Sequence, residues 1–244
     1  KLRELGKDVG KNPDFFPGVK QLFPALKKFV AQQNAEHGVD VKVEHYVVST
    51  GLQEMIEGCD IRHFFKDVWG CTFIEDIAPP GYFEQKPWPT KSSGEISQLG
   101  FVIDNTSKTR CIFEINKGVN VHPDISVNSF MPRDSRRVPF ENMIYVADGI
   151  SDIPVFSLVK QYGGRTLAVY NPESQRTYDQ AEMMLEDDRV HHFCPADFRE
   201  GQQAHMWLCK RLQKMIHRIA ETRSQSIAST VSQPMGHPKS GKDE

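Results

Sequence analysis

The chain has 244 residues, room for one large domain or a domain with a small insert. Hydrophobic residues make up 39% and charged residues 25%, a globular rather than disordered composition. Thirty Lys and Arg against 32 Asp and Glu leave a net charge of −2, which argues against nucleic acid or another polyanion as partner. The longest apolar runs, such as Met143 to Ala147, fall far short of the roughly 20 residues of a membrane span. No basic-then-apolar signal segment opens the chain, so neither a membrane nor an export route is expected. The five cysteines (Cys59, Cys71, Cys111, Cys194, Cys209) are odd in number and contain no Cys-x-x-Cys spacing. They read as reduced thiols of a cytoplasmic protein.

In chain order, Lys1 to Leu5 reads as the middle of a helix, so upstream sequence is expected to precede it. Pro13 and Pro17-Gly18 break the chain, and Val19, Leu22, Phe23, Leu26, Phe29 and Val30 then form one apolar helical face. Pro24 inside that pattern predicts a kink or a restart. Val39 to Ser49 is a strand candidate, Ser49-Thr50-Gly51 a tight turn, and Leu52, Met55, Ile56 and Cys59 a second helical face. Strand, turn and helix make a unit of a parallel sheet. Residues 68–100, rich in Pro and aromatics including Trp88, read as short strands and loops without a clear period.

Thr109 to Lys117 predicts a short helix stopped by Gly118. A Pro- and Arg-containing loop (119–140) leads to the strongest strand, Met143 to Ala147. Asp148-Gly149 turns it into a helix with Val155, Leu158, Val159 and Tyr162 inward, closed by Gly163-Gly164. Thr166 to Tyr170 is a further strand, and Leu208, Leu212, Met215, Ile216 and Ile219 mark a helix over about 203–221. Past Ser224 large apolar residues almost vanish, which predicts a disordered tail. The sum is an α/β chain with a Rossmann-like, doubly wound parallel sheet, whose ligands sit at the carboxyl ends of the strands.

Ser49, before Thr50 and Gly51, offers a hydroxyl beside free backbone N–H groups, suited to an anion or to capping a helix. Asp148 and Asp152 follow the best strand. Two carboxylates so placed repel unless a cation lies near them, and oxygen ligands of this kind suit Mg²⁺; as the bland alternative, Asp148 caps a turn and Asp152 caps the next helix. Lys108 opens a helix after Asp104-Asn105-Thr106-Ser107, where a cation is either solvated or aimed at a phosphate. Lys117 ends the same helix. His191, His192 and Cys194 lack a third ligand at metal spacing, and Arg136-Arg137 read as a solvated pair.

Together, Tyr-Val-Val-Ser-Thr-Gly at 46–51, a Lys at a helix start, and Tyr-Val-Ala-Asp-Gly-Ile-Ser-Asp-Ile-Pro-Val-Phe at 145–156 resemble three successive motifs of the haloacid dehalogenase superfamily. The phosphoserine phosphatase-like branch is nearest. The resemblance implies a Mg²⁺-dependent phosphohydrolase that cleaves a small phosphorylated metabolite through an aspartyl-phosphate intermediate. It casts Ser49, Thr50, Gly51 and Lys108 as phosphate-binding residues, and Asp148 and Asp152 as metal residues. Ser49, Lys108 and Asp152 are the catalytic set, Asp152 supporting a metal water or positioning Lys108. It divides the chain into a remnant of a mostly missing small helical cap (1–16), an α/β core (17–224) and a tail (225–244). The family's first motif, an Asp-x-Asp-x-Thr after an apolar strand, is absent: no Asp-x-Asp occurs. The nucleophilic Asp is therefore expected upstream, on a strand that would lie between the Ser49 and Asp148 strands. The alternative is an inactive binding or scaffolding protein on the same fold.

Overall fold

A computed structural model describes residues 2–11, 15–75 and 95–230. The stretch around Trp88 and residues 231–244 of the expected tail lie outside the described residues.

The first amphipathic run folds as α2 (Val19–His37), after a short α1 (Leu2–Lys11). Pro24 lies within α2 and the helix continues through it, so the expected restart does not occur. Gly18 (φ 81°) and Gly38 (φ 64°) bracket α2 in the left-handed region that only glycine enters cheaply. α1 lies on α3 (Gln53–Gly58) at a glycine crossing. A Cβ on Gly6 would fall 2.0 Å from the Met55 carbonyl oxygen, so the backbones touch only because both Gly6 and Gly58 lack one.

Among the described residues six strands form two open sheets. β1 (His45–Leu52) pairs in parallel with β2 (Phe65–Glu75), and β2 pairs antiparallel with β3 (Ile96–Phe101). β4 (Ile144–Ala147), β5 (Arg165–Tyr170) and β6 (His192–Pro195) are all parallel. The remaining helices are α4 (Ser107–Lys117), α5 (Ile153–Gln161), α6 (Gln175–Glu186) and α7 (Gln203–Thr230). The result is an α/β fold of Rossmann-like character, but the single parallel sheet expected from the sequence is corrected to one mixed and one parallel sheet. The mixed one arises because residues 65–75 form a long strand within a stretch that reads aperiodic in sequence.

The parallel sheet is covered on both faces. Leu167 and Val169 of β5 bury against Leu22 and Leu26 of α2 and Trp207 and Leu208 of α7. Ala168, pointing the other way, packs on Phe156 of α5 and Ala181 and Met184 of α6. α7 runs on to Thr230, past residue 224, because no Gly or Pro interrupts it there.

Between the sheets the layers disagree. Tyr46 and Val48 of β1 and Tyr145 of β4 pack under one helical layer, Ile112 and Ile115 of α4 with Val155 and Val159 of α5. Yet among the described residues β1 and β4 do not pair, and each has one unpaired edge. All four residues of β4 are only partly buried, whereas the four central residues of β5 are buried. The helical roof is continuous; the sheet beneath it is interrupted.

Candidate functional site

The site forms where α4 and α5 begin, at the carboxyl end of β4. Asp104 shapes the entry to α4: its Oδ1 accepts the N–H groups of Ser107 (2.7 Å) and Thr106 (2.9 Å). The Ser107 backbone bond, with the Thr106 and Ser107 side chains, holds the Asp104 carboxyl down at about 2. Asp104 is thus a turn residue, and the turn directs the next side chain, Lys108, inward.

Lys108 is 4% exposed and Asp152 5%. Lys108 Nζ donates to Asp152 Oδ1 at 2.7 Å and to Ser151 Oγ at 3.2 Å. This corrects the solvated or cleft-facing Lys108 expected from the sequence: a lysine this deep is held by its counter-charge. Asp152 stands at the N-cap of α5 but its side chain accepts no cap bond. Its oxygens instead take Lys108, the Tyr145 hydroxyl on Oδ1 and the Ser151 hydroxyl on Oδ2 (3.2 Å). Burial, then the adjacent Asp152 charge, pushes the Tyr145 phenol far above its usual range, so it stays a donor. Of the two roles foreseen for Asp152, positioning Lys108 has the contacts; direct metal ligation would have to displace them.

Asp148, at the end of β4, is exposed and makes no hydrogen bond among the described residues. Mg²⁺ keeps several waters and takes one or two carboxylates, so Asp148 fits as one ligand. Among the described residues no group of three or more His, Cys, Asp or Glu is arranged to hold a metal. A complete shell would need oxygens from elsewhere.

Ser49 lies inside β1, not at a helix start, and α3 begins at Gln53. Both the capping role and the helix-terminus anion site are corrected accordingly. Ser49 Oγ accepts the Gly51 N–H at 3.0 Å, leaving its own proton to donate, and Thr50 and Gly51 are exposed beside it. Cys71 ties this end of β1 to the segment entering α4. Its Sγ donates to the Thr50 carbonyl (3.2 Å) and accepts the Ile103 N–H (3.3 Å). Sequence reasoning passed over Cys71, Tyr145 and Ser151; only the 145–152 spacing could have marked the last two.

Lys117 is committed elsewhere: Nζ donates to the carbonyls of Val127 (2.5 Å) and Ser129 (2.6 Å), pinning the 119–140 loop. Arg137 is not solvated as expected; it pairs with Glu44 at 2.5 Å and donates to the Tyr46 hydroxyl at 3.0 Å. His191 bonds Thr166, His192 stacks on Trp207, and Cys194 is core. All five cysteines are free thiols, and burial pushes Cys111 up to about 12. No helix among the described residues is long and apolar enough to cross a membrane.

No family model and no solved structure matches the chain. An uncharacterized protein of Borreliella burgdorferi is 29% identical over 209 residues, which cover 84% of this chain and 69% of that protein. The likeness carries a shared sequence, not a shared activity.

Proposed function

We propose that this chain forms the phosphate-handling part of a Mg²⁺-dependent phosphohydrolase resembling the haloacid dehalogenase superfamily, cytoplasmic and acting on a small phosphorylated metabolite. One observation carries the reading: a buried Lys108–Asp152 pair at the carboxyl end of β4, beside the exposed and unpartnered Asp148. Burying an ion pair rarely adds net stability over an apolar replacement. Its place at a strand mouth of an α/β sheet is where ligands bind.

In this reading each side chain has a distinct task. Lys108 donates two of its three ammonium protons to Asp152 and Ser151 and in this reading turns the third toward a phosphoryl group. Ser49, whose Oγ already accepts the Gly51 N–H, donates its hydroxyl proton to a phosphoryl oxygen, beside the exposed Thr50 and Gly51. These are fixed donors facing charge that grows in a phosphoryl transition state. Asp148 would hold Mg²⁺, which when bound neutralises phosphate charge and orients the reacting oxygens. The nucleophilic Asp belongs to a segment outside these residues, and the unpaired edges of β1 and β4 are where its strand would add backbone bonds.

The test is to express the protein from its full coding region and assay p-nitrophenyl phosphate hydrolysis with and without Mg²⁺. Turnover is expected from that protein and none from residues 1–244 alone. Hydrolysis by residues 1–244 would refute the external nucleophile. An inactive full protein would refute the phosphohydrolase and leave a binding protein on this fold.

A further inference from the structure

Asp152 Oδ1 receives two donors, the Lys108 ammonium and the Tyr145 hydroxyl. Tyr145 comes from the strand, not from either helix that carries the ion pair. Its ring is locked edge-on against the buried Phe156, centroids 5.3 Å apart at 80°, so the hydroxyl has little freedom to turn away. It is packed between the α4–α5 layer and the α5–α6 layer, at the interrupted side of the sheet. A phenol in that place is not needed to fill space, since Phe would pack equally.

We propose that Tyr145 is a positioning residue that competes with Lys108 for Asp152 Oδ1 and so keeps the ammonium charge available to an anion at the mouth of the site. The argument is electrostatic. A carboxylate oxygen that shares its lone pairs with a second donor holds the first less tightly. With Oδ2 occupied by Ser151, removal of the phenol would let Oδ1 draw Lys108 inward, away from any phosphoryl group. The catalytic consequence rests on the phosphohydrolase reading; the competition for Oδ1 does not.

The experiment therefore has two arms, both on the protein from the full coding region, comparing wild type with Tyr145→Phe. Tyr178→Phe serves as control, because its hydroxyl bonds Glu182 within α6 and touches neither Lys108 nor Asp152. In the first arm, Tyr145→Phe is expected to lower kcat by about tenfold, the scale of one charge-assisted hydrogen bond, with KM changed less than about twofold. In the second, the Lys108 ammonium is followed by ¹⁵N-detected NMR, assigned by its absence in Lys108→Arg. Tyr145→Phe is expected to shift that resonance and slow its hydrogen exchange; Tyr178→Phe is expected to do neither. An unmoved Lys108 resonance overturns the proposal. So does a moved resonance with unchanged kcat in an active enzyme, which would leave Tyr145 a structural hydroxyl. If the wild type has no turnover, the phosphohydrolase reading falls, and the resonance alone decides the competition for Oδ1.

Discussion

β4 and β5 lie side by side in one sheet and are built from similar residues, Ile-Tyr-Val-Ala and Thr-Leu-Ala-Val, yet they live in different environments. β5 is hydrogen-bonded on both edges and covered on both faces, and Leu167 and Ala168 are 0% exposed. β4 pairs on one edge alone among the described residues, and each of its residues keeps partial exposure. Runs as apolar as β4 are typical of strands buried on both faces. The contrast places the opening in the fold at β4, and the buried ion pair stands at the end of that same strand. The less finished region is the one that carries the buried ion pair.

The largest expected effect tests the pair itself. Asp152→Ala leaves a buried ammonium uncompensated and is expected to cost about 3–5 kcal/mol in urea unfolding, whereas Asp60→Ala, breaking the exposed Lys20–Asp60 pair, should cost about 0–1 kcal/mol. Equal costs would mean that Lys108 and Asp152 are wetter than they look. Next, Leu167→Ala in β5 should cost about 2–5 kcal/mol through a core cavity. Val146→Ala in β4 should cost about 1 kcal/mol, since Val146 is only partly buried and leaves a smaller cavity. If the two costs matched, the contrast between the strands would be broken. A third measurement sharpens it: amide exchange in 46–48 and 144–147 should slow about tenfold in the protein from the full coding region relative to residues 1–244. The β5 amides should barely change.

Much of this was legible in the sequence, and what was not has physical causes. Apolar period and glycine punctuation marked α2, α4, α5, β4, β5 and the stop at Gly118, whose N–H donates to the Glu114 and Ile115 carbonyls. The spacing of Asp148 and Asp152 drew attention to the end of β4, where the Lys108–Asp152 pair lies. What the sequence does not carry is pairing: β2 has no clean alternation because it changes neighbours along its length, parallel to β1 and then antiparallel to β3. α6, twelve residues long, and β6, only four, both packed on β5, escaped notice. Burial of Lys108 was illegible too, because a lysine at a helix start is usually solvated and only the fold brings Asp152, 44 residues away, to meet it. Ser49 was misplaced by three residues of extra strand, since Thr50 and Gly51 stay extended before α3 begins.

The smallest effect concerns the finished side of the same sheet, where β5 meets β6. His191 Nδ1 accepts the Thr166 N–H at 3.2 Å and lies 2.8 Å from its hydroxyl, contacts made by a neutral ring. Burial, followed by the positive charges of Arg165, Lys160 and Arg211, pulls the imidazole down to about 4, with Asp188 opposing weakly. In the unfolded chain the same ring titrates near 6.5. The folded state thus binds fewer protons in this window, so the contribution is fully present above about pH 6.5 and fades as pH falls towards 4. Because the ring is only partly buried, solvent screening limits the effect to on the order of 1 kcal/mol. Unfolding of wild type and His191→Gln followed between pH 7.5 and 4.5 isolates it from the carboxylates, which titrate in both. The wild type should lose more stability over that range than the variant; parallel curves would place His191 in water and loosen the β5–β6 seam that the contrast with β4 depends on.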